Sequence, residues 1–182
     1  MIGTAKKWIG YLEHQSNDLL GFYTENIGKG GCTIFSMIIA RTYPKLNFSG
    51  LPWCATFVHA VFIEAYGKEK ARELLGKPCP GTRVLARRFR RKRCLMDRDY
   101  VPKPGDLIFL HNGDGRISHC GIVEKVEDDT VTSIEGNTTD PTGHFEPHQG
   151  GAVAVRTRNL NDPAIVAWGD NQHVRKDVKS SK

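Results

Sequence analysis

Near Pro102 the chain changes character, and that change constrains its fold more than any other feature. Before it, apolar residues recur at spacings of three and four; after it, short β-forming runs alternate with turn signals. The later runs are DLIFLH, RISHCGIVEKV, TVTSIEGN, AVAVRTR and AIVAWG, divided by NGDG, EDD, a long TTDPTGHFEPHQGG and LNDP. About five strands joined mainly by hairpins predict an antiparallel sheet, and helices ahead of such a sheet describe an α+β domain.

The first half supplies the helices. Trp8, Tyr11 and Leu12 predict a short helix over residues 4–15, and CTIFSMIIA predicts a buried one after the turn GKGG. RTYPKLNFSGLP reads as loop. From Trp53 to about Tyr66 the apolar stripe of Phe57, Val58, Val61, Phe62 and Ala65 predicts a second helix, with Gly67 as its stop. KEKARELLG adds a turn or two, and RVLARRFRRKR predicts a basic helix with Val84, Leu85 and Phe89 inward. With 182 residues one domain is expected: a helical part over 1–50, a core over 51–170 and a polar tail over 171–182. No stretch approaches the roughly 18 apolar residues of a membrane span, and the N-terminus shows no secretory pattern. The expectation is synthesis in the cytoplasm.

Five cysteines, at 32, 54, 79, 94 and 120, form neither a CxxC pair nor a zinc-type repeat, so reduced thiols are expected. Cys54 differs from the rest because LPWCATFV places it in the first turn of a helix. Unpaired N–H groups and the positive end of the helix dipole there favour thiolate over thiol. A nucleophile needs a proton partner, which histidine supplies best near neutral pH. His14 and His173 fall in polar segments expected to be exposed, His59 points around the helix from Cys54, and His111 abuts a turn. His119 sits inside RISHCGIV among apolar residues, where an imidazole needs a partner or a task. If TVTSIEGN pairs with that strand, Glu135 or Asn137 can reach its ring and fix its tautomer.

WCATFV, PKPGDLIFL, SHCGIV and IEGN, in that order, resemble the CHAP family of cysteine amidohydrolases and peptidases, relatives of papain-like and NlpC/P60 enzymes. The resemblance runs from about Leu51 to Trp168. It implies a papain-like architecture, Cys54 as nucleophile, His119 as general base, and Glu135 with Asn137 as the polar pair behind the imidazole; which of the two contacts His119 stays open. It also implies acyl transfer through a thioester, with the Cys54 N–H as one oxyanion donor and Tyr43 or Asn47 as guesses for a second. The substrate implied is peptidoglycan, cut at the muramoyl-L-alanine amide or within its peptides, by an enzyme that acts at the bacterial wall after release or non-classical export. Relatives that hydrolyse glutathionylspermidine mark a small-molecule alternative.

The loop before Cys54 holds no Asp or Glu, so the calcium loop of some relatives is not expected, nor is any required metal or cofactor. The net charge of +6 suits an anionic wall. ARRFRRKRC carries six basic residues and raises a nucleic-acid-binding alternative, but it interleaves only Phe89, and no nucleic-acid partner is expected. His144, Glu146 and His148 could form a metal site, although Pro147 argues for a cleft-side loop instead. Cys120 should face away from His119 into the core, and Cys32, Cys79 and Cys94 read as structural.

Overall fold

A computed structural model describes residues 1–17, 27–141, 143 and 150–171. Four helices, α1 (Ile2–Lys6), α2 (Ile34–Thr42), α3 (Cys54–Leu75) and α4 (Thr82–Arg91), precede six strands. These are β1 (Leu95–Met96), β2 (Leu107–Leu110), β3 (His119–Glu127), β4 (Thr130–Thr138), β5 (Ala152–Asn159) and β6 (Ile165–Gly169). All neighbouring strands pair antiparallel, in the order β1-β6-β2-β3-β4-β5. The five expected strands are present, and the two-residue β1 makes a sixth. Strands β2 to β5 run as a meander; β6 instead crosses back to pair with β2.

The sheet has two apolar faces because strand residues alternate sides. Leu107, Phe109, Cys120, Ile122 and Ile134 face α3, whose Phe57, Val58, Val61 and Phe62 are fully buried against them. Ile108, Leu110, Val123, Val131, Ile165 and Trp168 form a smaller core on the opposite face. The α+β layering predicted from the change at Pro102 is the one observed.

One helix expectation needs correction. The helix placed at 4–15 ends at Lys6. Gly10 takes φ +88°, and the following residues run extended along β5: Gly10 donates to the Val153 carbonyl, Val153 to Tyr11 and Glu13 to Gly151, at 2.8 to 2.9 Å. The open edge of β5 carries backbone groups that need partners, and this outweighs the weak helical periodicity. His14, expected to be exposed, is consequently 1% exposed. Gly67 ends the first part of α3 as expected, since its φ of +77° and ψ of 168° are non-helical. A second helical stretch follows across that kink, and through it Ala71, Leu74 and Leu75 reach the core. The carbonyls at its C-terminal end are satisfied from α4 and the residue beyond it: Arg88 donates to Leu75 and Lys77, and Lys92 to Glu73 and Leu74. Two members of the basic run are thus helix caps.

Candidate active site

Trp53 fixes the start of α3. Its indole is fully buried, stacked on Phe35 with 5.5 Å between ring centroids, and donates to Glu13 Oε2 at 2.6 Å. The next residue, Cys54, opens the helix. Its N–H and those of Ala55 and Thr56 precede the first intrahelical bond, from Phe57 to the Trp53 carbonyl. The thiol lies 3.2 Å from Thr82 Oγ1, at the start of α4.

His119 opens β3 opposite Leu110, with 22% of its side chain exposed. Nε2 is 3.0 Å from Glu135 Oε2, and the ring and the Cys54 thiol are near enough that each favours the other's charge. Of the two residues left open, Glu135 is therefore the one bonded to His119. It has no solvent exposure, so its charge must be matched within the protein. Ser133 Oγ donates to Oε1 at 2.6 Å, and Arg158 forks across both oxygens at 2.5 and 3.2 Å. Thr138 Oγ1 adds a longer contact to Oε2 at 3.5 Å.

Asn137 does not continue the strand's alternation. The β4–β5 ladder shifts register between Glu135 and Thr138, and Asn137 takes φ +55°. Gly136 presses so closely on α3 that a Cβ there would sit 2.5 Å from the Cβ of Phe57. The resulting bulge turns Asn137 to line a cleft beside His119.

These contacts set the charges. A hydrogen bond with Cys120, opposed by burial and supported by the hydrogen bond and charge of His119, pulls the Cys54 thiol well below its ordinary range. Burial disfavours a charged His119, but hydrogen bonds to Cys54 and Glu135 and their negative charges raise it to about 10. Burial would likewise raise Glu135, yet His119 and Arg158 hold it at about 2. Cys120 moves the other way: its hydrogen bond to Cys54, then burial, keep it a neutral thiol. At neutral pH the arrangement favours a thiolate beside an imidazolium, with an ionised carboxylate behind it.

Two clefts meet here. One, of about 390 Å³, is lined by Cys54 together with Leu51, Pro52, Thr82 and Ile117; the other, of about 360 Å³, is lined by His119, Asn137, Thr138, Arg156 and Arg158. Ser118 borders both, and its buried hydroxyl has no partner. Neither guessed oxyanion donor lines either cleft. Tyr43 lies under Lys68 Nζ, 5.1 Å from its ring centroid and well along α3, while Asn47 Oδ1 accepts from Ser49 N–H at 3.0 Å. The other histidines are engaged elsewhere: burial and then Arg88 push His59 down to about 3, beside Cys79, and His111 bonds the Pro163 carbonyl. His173 and the His144, Glu146, His148 cluster lie outside the described residues. Among the described residues no group of three or more His, Cys, Asp or Glu could hold a metal ion.

Sequence reasoning missed Arg158, Ser133, Thr82, Ser118 and the part Cys120 plays in lowering the Cys54 thiol. Each is an ordinary residue type whose meaning comes from register or from helix packing, neither of which spacing reveals.

A helix-start thiol, a strand imidazole and a buried carboxylate are thus brought together on the antiparallel sheet of an α+β domain. The chain belongs to the CHAP domain family, whose model matches residues 46–137, a span that holds Cys54, His119, Glu135 and Asn137. The family is generally hydrolytic, and its domains act on peptidoglycan. No curated protein matches the chain. Among solved structures, the crystal structure of Ly7917 aligns with 92% of this chain at 11% identity and a TM-score of 0.49. The alignment spans 58% of that protein's chain. No described helix is long and apolar enough to cross a membrane.

Proposed function

We propose that the chain is a cysteine-dependent peptidoglycan hydrolase, an amidase or endopeptidase acting through a thioester. The observation that carries this reading is the hydrogen bond of His119 to Glu135 at the junction of two clefts, with the Cys54 thiol and that imidazole each favouring the other's charge. In the proposed reaction the Cys54 thiolate attacks an amide carbonyl carbon. The C–N bond breaks as the His119 imidazolium protonates the departing amine, leaving a thioester. The neutral imidazole then takes a proton from water, which attacks the thioester; the C–S bond breaks, returning thiolate and imidazolium and releasing a carboxylic acid.

Glu135 holds the ring and stabilises its charge, itself held by Arg158 and Ser133. Asn137 contributes a polar wall of the leaving-group cleft. The Cys54 N–H serves as one oxyanion donor, and the unpartnered Ser118 hydroxyl as a second. A polycationic substrate such as glutathionylspermidine would meet Arg83, Arg156 and Arg158 along the clefts, which favours the wall substrate. Such an enzyme works at the bacterial wall.

Purified protein incubated with muropeptides should release a new amine at L-alanine or cut within the peptide, as read by mass spectrometry. Cys54→Ala should abolish turnover, and His119→Ala should cost nearly as much, at least about a thousandfold, because the groups act as a unit. If no wall chemotype is cut, the reading fails.

A further inference from the structure

The basic helix α4 has a face that neither the fold nor the reaction uses. Arg83, Arg87 and Arg90 recur at i, i+4 and i+7, separated along the helix by about 6 and 10.5 Å. They line one side of a groove of about 610 Å³, with Arg116 contributed by the loop before β3. No acidic residue lines this groove, and none of the four arginines forms a salt bridge among the described residues. Asp114, the nearest acid in sequence, accepts from the Arg116 backbone N–H at 2.9 Å. Arg83 donates Nε to the Ile117 carbonyl at 3.0 Å, which fixes its guanidinium at the groove wall. Arg83 and Ile117 also line the cleft that Cys54 borders, so the groove runs into it. Four uncompensated like charges along one channel repel one another, and the channel suits a ligand with several negative charges.

We propose that this groove binds a linear, non-aromatic phosphodiester polymer, a polyol-phosphate chain borne by or lying beside the wall substrate, and delivers the scissile amide to Cys54. The inference rests on the hydrolase reading for the surface the protein meets. Guanidinium forks match phosphate oxygens, and a row of them matches a chain whose charge repeats at short intervals, whereas a peptide carries isolated carboxylates. The other phosphodiester polymer, nucleic acid, is disfavoured by the groove floor. That floor is aliphatic, and the one aromatic residue of α4, Phe89, is 1% exposed and packs edge-on against Phe109, so among the described residues the groove offers no platform for base stacking.

The test is equilibrium binding of synthetic poly(glycerol phosphate) to the full chain carrying Cys54→Ala, across a series of salt concentrations. Adding Arg87→Ser, Arg90→Ser and Arg116→Ser should weaken binding more than tenfold and lower the log–log salt slope by about two to three, near one per arginine removed. Removing the same charge outside the groove, by Lys7→Ser, Lys45→Ser and Lys103→Ser, should leave most of the affinity. Equal losses in both variants would assign the effect to net charge and overturn the groove. Equally tight binding of a polyglutamate or DNA strand of matched charge, lost with the same three arginines, would overturn the choice of ligand, and so would absence of binding. Muropeptide turnover by the intact protein reports on the hydrolase reading separately: binding without hydrolysis sinks that reading alone, and hydrolysis without binding sinks only the groove.

Discussion

Glu135 is the residue on which the charge pattern turns, because a fully buried carboxylate acts at short range on His119 with little water to weaken it. Replacing Glu135 with Gln keeps the shape but removes the charge, and the His119 ring should then titrate at least a full pH unit below its value of about 10, as read by NMR of the imidazole. An unchanged titration would mean that Cys54 alone holds the imidazolium. Cys54 should react with iodoacetamide near neutral pH ahead of the other four cysteines, because its lowered pKa and its place in a cleft both favour attack. Cys120, also buried nearby but kept protonated, should lag. Cys54 and His119 stood out in the sequence because each is chemically unusual where it stands, a thiol at a helix start and an imidazole among apolar strand residues, whereas the residue behind the imidazole was narrowed only to Glu135 or Asn137. Thr82 and Ser118 did not stand out, since a hydroxyl gains meaning only from its neighbours.

Strands β3 and β4 align the imidazole and its carboxylate, and two glycines let them do so. At Gly121 a Cβ would fall 2.6 Å from Glu135 Cγ, so Gly121→Ala should push the carboxylate off His119. Turnover should fall by about a hundredfold, the scale of a displacement near 1 Å, with the far-ultraviolet circular dichroism retained. At Gly136 the Cβ would strike the α3 side chain of Phe57, so Gly136→Ala should lower stability by about 1–3 kcal/mol in urea unfolding. Existence and type of α2, the first part of α3, α4 and the five longer strands were readable from periodicity and turn residues. The β4 bulge at Asn137 was not, because it follows from contact with a helix some eighty residues earlier.

At the scale of the molecule, Asp106 ties the C-terminal end of β6 to the turn before β2. It is fully buried and accepts from Tyr100 Oη, Lys103 N–H and Asn171 N–H at 2.9 to 3.0 Å. Asp106→Ala would leave those donors unsatisfied, and stability should fall by about 3 kcal/mol or more. The PKPGD block is therefore a structural clasp, although in sequence it stands out as a family signature. Acid should act through Glu135. Its folded value of about 2 lies below the ordinary 4.5, so its contribution is present above that ordinary value and is lost as pH falls toward 2. Thermal melts between pH 5 and 2 should show this loss, and Glu135→Gln should flatten it.

By itself the sequence determined the layering of helices before an antiparallel sheet and singled out Cys54 and His119, with Glu135 or Asn137, as candidates to work together, because hydrophobic period and local chemistry are properties of short segments. Only the tertiary structure decided that Glu135 rather than Asn137 meets His119, that Arg158 neutralises it, that residues 10–13 cover the edge of β5, and that the arginines of α4 open onto the Cys54 cleft. Those outcomes depend on strand register and on packing between distant segments, where a shift of one residue turns every side chain to the other face.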